Sequence, residues 1–319
     1  MKIRPLDFEL PLAEIEKKID ELNSFASDKS VDFSAEIARL KDKGEVLAKE
    51  IYADLNAWQI TQVARHPQRP YFLDYVDMAF ENFIELHGDR QFSDDQSTVT
   101  GVAYFHGTKV ALIGQQRGRD VEENKRRNFG SPYPEGYRKA LKMMKFAEKF
   151  HLPVITFINT QGAFPGLEAE ERGQGEAIAR NLREMSALKV PVVVIVVGEG
   201  GSGGALGIGV GDRILMMQNS IYSVISPEGC ASILWRDATK AETAAEALKI
   251  TAPELLKLGI IDEIIPEPLG GAHRNYEASA KSLAEVLGRH LKELQKMPVN
   301  RIVEKRHEKF RAMGPVSEN

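Results

Sequence analysis

Across residues 12–55 apolar side chains recur at helical spacing: Ile15, Ile19 and Leu22 form one stripe, then Ile37, Leu40, Leu47 and Ile51 a second after a polar break. Two amphipathic stretches joined by a polar break predict a helical hairpin. Gly44 lies on the second stripe, where a helix can approach a neighbour closely, so the seam serves either packing within the chain or a subunit contact. Residues 64–70 carry Pro67 and Pro70, which disfavour helix at the residues before them, and are expected to link the hairpin to the main body.

Beyond Tyr71 the pattern changes. Residues 99–105 and 110–114 read as strands, 134–150 as a helix, 154–158 as a strand and 169–185 as a helix. The β-branched run at 190–197 suits a strand buried on both faces, and shorter strands are expected at 213–217 and 221–225. Strands alternating with long helices imply an α/β architecture with crossover connections. Leu283, Leu287, Leu291 and Leu294 share one stripe of a charged helix at 276–295, expected to pack on the outside of the core. The chain therefore divides into a helical region (1–63), a core (71–272) and a C-terminal helical extension (273–319).

Composition changes this picture only at the margins. With 319 residues, 43% hydrophobic and 28% charged, the chain is an ordinary globular sequence. A formal charge of -4 argues against a nucleic-acid footprint, although Lys125, Arg126 and Arg127 form a local basic cluster that suits phosphate. Cys230 is the only cysteine, which excludes an intrachain disulfide and a four-thiolate zinc site and fits a reducing cytoplasm. The first 20 residues lack the apolar core of a signal peptide, and the longest apolar run falls well short of the ~20 residues that span a bilayer, so no membrane partner is expected.

Residues 198–211 hold eight glycines in fourteen positions. Glycine inside an element costs ~0.5–1 kcal/mol relative to alanine, so such density after a buried strand calls for close backbone approach or positive φ. Tight helix-to-sheet packing accounts for three or four of them, and eight is more than it is expected to explain. If a helix begins at Ser202, its first amides lack intrahelical partners and suit an anionic oxygen; Gly203 and Gly204 are the candidate donors, flanked by Gly200 and Gly201. Three other readings compete. A dinucleotide site lacks its acidic ribose ligand, a P-loop lacks its lysine, and a nucleophile elbow at Ser202 has only His273, His290 and His307 downstream as bases. A second strand, at 153–158, ends in another glycine loop with Gly162, Ala163 and Gly166, and both loops are expected to wall one cleft.

Several strings in order then carry a resemblance: Trp58-Gln59-Ile60, Ala64-Arg65-His66-Pro67-Gln68-Arg69-Pro70, Gly88-Asp89-Arg90, Arg126-Arg127-Asn128-Phe129-Gly130, Pro134-Glu135-Gly136-Tyr137-Arg138-Lys139-Ala140, residues 198–211, residues 222–231 and residues 267–273. Over nearly its whole length the chain resembles the alpha subunits of bacterial multisubunit acetyl-CoA carboxylase carboxyltransferases. The resemblance implies a crotonase-like spiral of β-β-α units with an N-terminal helical hairpin and a C-terminal helix. It also implies carboxyl transfer from carboxybiotin, on a biotin carboxyl carrier protein, to acetyl-CoA, giving malonyl-CoA for fatty acid synthesis. The amides of Gly203 and Gly204 would serve the biotin ureido oxygen. Gly162, Ala163, Gly200, Gly201, Ser202, Arg126 and Arg127 would contact substrate or carrier, with Arg119 and Lys125 as further candidates for phosphate. Implied partners are a zinc-containing beta subunit, in an alpha2beta2 assembly, and biotin carboxylase. The family usually has aspartate where this chain has Asn159. A biotin-dependent acyl-CoA decarboxylase and a Ser202 hydrolase are the alternatives.

Overall fold

The structure, a computed structural model, describes residues 3–29 and 32–314. The expected hairpin is present as helices Leu10–Lys29 and Ser34–Ala53. Its seam closes within the chain: Leu12 and Ile15 are buried, and a Cβ on Gly44 would lie 3.5 Å from Ile15 Cγ2. Ile37, Leu40, Leu47 and Ile51 stay half-buried.

Eight strands form one mixed sheet: β1 (Glu81–Glu85), β2 (Thr98–Phe105), β3 (Thr108–Gln115), β4 (Val154–Thr160), β5 (Val192–Gly201), β6 (Arg213–Met217), β7 (Ile221–Ser223) and β8 (Glu263–Ile265). The order is β1-β2-β3-β4-β5-β6-β8, antiparallel through β3 and parallel beyond it. Helices cover both faces, which is why β4 and β5 are fully buried runs rather than alternating ones. On one face Leu112, Phe157, Val193 and Ile195 pack with the leucine stripe of helix Tyr276–Leu294. On the other, Ile113, Ile158, Val194 and Val196 meet Met143 and Met144 of helix Pro134–Lys149.

Three differences from the sequence reading shape the site. Strand β5 runs four residues past Val197, to Gly201, because its end finds a second partner: residues 193–196 pair with β6, then Glu199, Gly200 and Gly201 pair with β7. The helix expected at 169–185 is broken into Leu167–Glu171 and Gln174–Ala187 by Gly173, which adopts φ 80°. Residues 64–70 do more than connect. His66 and Arg69 are buried, and Arg69 donates to both carboxylate oxygens of Glu267, at 2.8 and 2.7 Å. Burial alone would raise the Glu267 carboxyl; the Arg69 charge and the amides of Asn219 and Ala272 overcome this and hold it below its usual range. Helix Phe72–Ala79 and strands β1 and β8 were not anticipated.

Candidate functional site

Ser202 opens the short helix Ser202–Leu206, as the glycine pattern suggested, but the glycines themselves have a different reason. None of the eight takes positive φ; the left-handed residue at the turn is Ser202, at φ 51°. An added Cβ would come within 3.0 Å of another atom at seven of them, Gly198, Gly200, Gly201, Gly204, Gly207, Gly209 and Gly211. Close packing therefore explains seven, more than the three or four expected. At Gly201 the clash is with the carbonyl oxygen of Gln161 (2.0 Å), and at Gly204 with the amide nitrogen of Ala163 (2.4 Å) and the carbonyl carbon of Gly162 (2.5 Å). The two glycine loops thus touch backbone to backbone, and Gly162, Ala163, Gly200, Gly201, Ser202, Gly203 and Gly204 come together. Gly203 alone has room, with Ile178 3.6 Å from its hypothetical Cβ.

The helix is too short to fix itself and is held by buried polar side chains. Gln115 at the end of β3 donates from Nε2 to the Gly204 carbonyl (2.7 Å), while its Oε1 accepts the Asn159 amide (3.1 Å). The Tyr137 hydroxyl reaches the same Gly204 carbonyl at 3.3 Å, Asn181 Nδ2 donates to Gly207 O at 2.9 Å, and the Thr156 hydroxyl to Ile208 O at 2.9 Å. Gln115, Tyr137, Asn181 and Thr156 come from four different elements and are all buried. They fix the carbonyls of Gly204, Gly207 and Ile208, just after the Gly203 and Gly204 amides, and so brace the turn that presents those amides. Sequence reasoning missed all four; the available signal was a polar residue at an otherwise apolar position of a strand or helix.

Asn159 sits beneath the glycine strand, with Oδ1 accepting the Glu199 amide at 3.2 Å. That is an acceptor's role, which the amide oxygen fills without a charge. Glu199 in turn accepts from Arg65 (2.7 and 3.0 Å), whose other guanidinium nitrogen donates to Glu228 (2.6 Å). Burial would lower the Arg65 pKa, but the two carboxylates outweigh it and raise it. One guanidinium thereby ties residues 64–70, the glycine strand and helix Pro227–Trp235 together. Ser226 caps that helix, accepting the Gly229 amide at 3.1 Å.

Beside Ser202 opens a mostly apolar cavity of about 320 Å³, bounded by Leu206, Tyr222, Val224, Ile250 and Phe310. Burial pushes the Tyr222 hydroxyl up to about 12, so it stays protonated at neutral pH. Among the described residues no hydrogen bond joins Ser202 to the downstream histidines. His290 Nε2 faces Glu263 at 2.7 Å, His307 contacts Ser186 O at 3.0 Å, and His273 is stacked on His66 with ring centroids 4.0 Å apart. A Ser-His relay has no geometric support.

The basic cluster reads differently in three dimensions. Arg119 donates to the carbonyls of Pro67 and Arg69, pairs with Asp74 and stacks on Tyr71 (3.9 Å). Arg127 donates to Glu123 at 2.8 Å and to Gln96 O at 2.9 Å. Both were expected to be available for phosphate, and internal acceptors take them instead. Lys125 pairs with Glu122 at 3.2 Å, and Arg126 is exposed, 3.7 Å from Glu123. Behind them Asn128, Phe129 and Gly130 all take positive φ, turning the chain so that Gly130 packs on Arg117 and approaches Asn159 O.

Comparison with known proteins places this geometry. The family described as "acetyl co-enzyme A carboxylase carboxyltransferase-like" matches residues 5–314. The acetyl-coenzyme A carboxylase carboxyl transferase subunit alpha of Geobacter metallireducens is 57% identical over 313 residues, 98% of either chain. That of Geobacillus kaustophilus is 58% identical over 315 residues, covering 99% of this chain and 97% of its own. Among solved structures, transcarboxylase 12S aligns with a TM-score of 0.55 at 18% identity, over 70% of this chain and 42% of that one. A Pseudomonas malonate decarboxylase hetero-tetramer aligns at TM-score 0.56 and 16% identity, over 68% of this chain and 86% of that one. The architecture they share is the crotonase-like one.

Proposed function

The chain belongs to the acetyl-CoA carboxylase carboxyltransferase family, and from that premise we propose that the amides of Gly203 and Gly204 form its oxyanion site. Its activity is that of a carboxyltransferase alpha subunit: a carboxyl group passes from carboxybiotin to acetyl-CoA, giving malonyl-CoA, and a beta subunit is its partner. In that exchange the bond from the ureido nitrogen to the carboxyl carbon breaks, a carbon–carbon bond forms at the acetyl methyl, and the methyl proton passes to the ureido nitrogen.

The observation that carries the site assignment is the backbone contact between the two glycine loops at Gly204 and Ala163. It brings the Ala163 amide nitrogen against Gly204, and amides are what an oxygen gaining negative charge requires. Gly162, Ala163, Gly200 and Gly201 shape this contact, and Ser202 supplies the turn. Gln115 and Tyr137 hold the Gly204 carbonyl, on the peptide that follows the Gly203 and Gly204 amides, and so brace the turn as charge develops; each such donor is worth ~3–4 kcal/mol in a transition state. Because the ureido nitrogen takes the proton, no histidine base is needed, which agrees with the occupied rings of His290 and His307.

Further parts of the reading rest on the family. Biotin arrives on a separate carrier protein charged by biotin carboxylase, the beta subunit holds zinc and serves the thioester oxygen, and the assembly is alpha2beta2. Arg126 contacts coenzyme A phosphate or the carrier, and Arg127 supports it by bracing the turn. The enzyme works in the cytoplasm; no helix among the described residues is long and apolar enough to cross a membrane.

The test is malonyl-CoA formation from carboxybiotin and acetyl-CoA by the mixed subunits. Product formation supports the reading. Absence of transfer, together with fluorophosphonate labelling of Ser202 and loss of a hydrolase activity, would replace it.

A further inference from the structure

Glu199 is a carboxylate set into the glycine strand itself, 4% exposed and two residues before the end of β5. Its Oε1 accepts from both Arg65 Nε (3.0 Å) and Arg65 Nη2 (2.7 Å), while its Oε2 is buried with no hydrogen-bond partner. Among the described residues no other ion pair reaches it. A buried carboxylate without a counter-charge is costly, so one guanidinium supplies the whole of its compensation. Arg65 also pairs with Glu228, but that side chain is 40% exposed and water screens its charge.

Backbone contacts on both sides place this pair. Arg65 follows helix Ala57–Ala64, its amide donating to Thr61 O at 3.1 Å. The strand comes close because it has Gly198 here: an added Cβ would lie 3.1 Å from Ala64 O and 2.6 Å from Asn159 Oδ1. From Glu199 the chain reaches Gly203 in four residues, so the Glu199 Cα lies within about 13 Å of that amide even along a fully extended path. A unit charge at that range, in a protein-like dielectric, changes a rate on the order of tenfold. The oxygen served by the Gly203 and Gly204 amides gains negative charge in the transition state, and an uncompensated Glu199 would oppose it.

We infer that Arg65 is a positioning residue for carboxyl transfer: acting through Glu199, it cancels the buried charge behind the oxyanion amides and ties down the strand that leads to them. This rests on the oxyanion assignment above. The charge and the tie are separable, because removing Glu199 as well abolishes the charge without restoring the tie.

The experiment uses the full-length chain with its beta subunit and reads kcat and the KM for acetyl-CoA from malonyl-CoA formation, with the melting temperature of each complex alongside. Arg65→Gln should lower kcat about tenfold and leave KM little changed. Adding Glu199→Gln to it should return kcat to within about threefold of wild type, because the charge is gone although the bridge is still missing. Arg65→Lys, which keeps a cation beside Glu199 but not the forked donors, should likewise stay within about threefold. A merely structural bridge gives the opposite pattern: a double variant no faster than Arg65→Gln overturns the inference, and so does wild-type kcat in Arg65→Gln. If Arg65→Gln does not fold, the double variant and Arg65→Lys decide. Intact complexes slowed about tenfold or more in both overturn the inference, and near-wild-type turnover in both supports it. A wild-type complex that forms no malonyl-CoA contradicts the proposed function, whereas wild-type turnover without rescue in the double variant contradicts only the role of Arg65.

Discussion

The glycine segment and the basic segment of this chain both looked like anion sites in sequence, one by its backbone and the other by its charge. In the structure the first has amides at Gly203 and Gly204 on a turn whose next carbonyls are fixed, that of Gly204 by Gln115 and Tyr137 and that of Gly207 by Asn181. The second is largely self-neutralised: Arg119 and Arg127 serve Asp74, Glu123 and nearby carbonyls, and only Arg126 and Lys125 face outward. Formal charge is a poor guide to where an anion binds, because long cationic side chains find internal acceptors. A backbone amide at a helix start has no such escape.

Substitutions separate the two regions, and the largest effect falls on the glycine turn. In Gly204→Val the new side chain meets the backbone of Gly162 and Ala163, which cannot give way as a flexible side chain can. Stability should fall by about 1–3 kcal/mol and carboxyl transfer by about 100- to 1,000-fold, read by thermal melting and by malonyl-CoA formation. A variant with near-normal turnover would show that the contact between the loops does not matter to catalysis.

Next in size is Gln115→Leu, which removes the acceptor of the buried Asn159 amide and leaves the Gly204 carbonyl with only the longer bond from Tyr137. The expected cost is about 1–3 kcal/mol of stability, with kcat reduced about 10- to 100-fold and the KM for acetyl-CoA little changed. If only stability moved, Gln115 would be structural.

Acid should loosen the glycine side of the comparison through the His66–His273 stack, which adjoins Arg65. Burial first, then the charges of His66, Arg69 and Arg274, push His273 down to about 2, and burial likewise lowers His66. A histidine whose folded pKa is depressed takes up protons more readily when unfolded. Its contribution is complete above the unfolded pKa near 6.5 and is lost as pH falls below it, at about 1.4 kcal/mol per pH unit. Denaturant titrations between pH 7 and 5 should show this slope, and His273→Phe should flatten it.

The smallest effect belongs to the basic segment. Arg126→Ala should raise the KM for one substrate by about fivefold or less and leave kcat alone, as befits an exposed cation. A large loss of kcat would put charge back at the centre of the site.

Much of this was legible in the chain. The β-branched run before Gly198 and the leucine stripe at 283–294 reported their burial through periodicity, the hairpin reported its helices although most of its stripe stays half-buried, and the start of a helix at Ser202 followed from the glycine pattern. Legibility failed where long-range partners decide. Strand β5 continues through Gly201 because β7, twenty residues on, pairs with it. Seven glycines are needed because Gln161, Gly162, Ala163, Tyr137, Tyr222 and other distant groups press on them. Arg127 looked available because its acceptor at Gln96 lies 31 residues away. Sequence position says which residues are small or charged, whereas partnership across the fold says which remain free.

The most direct test is carboxyl transfer by Gly203→Leu in complex with the beta subunit. Gly203 is the one glycine of the eight with room for a side chain, so the fold should survive while the face of the amide pair is obstructed. The account predicts an intact complex with an unchanged melting temperature and a loss of about 100-fold or more in malonyl-CoA formation. An intact complex turning over at the wild-type rate would contradict it.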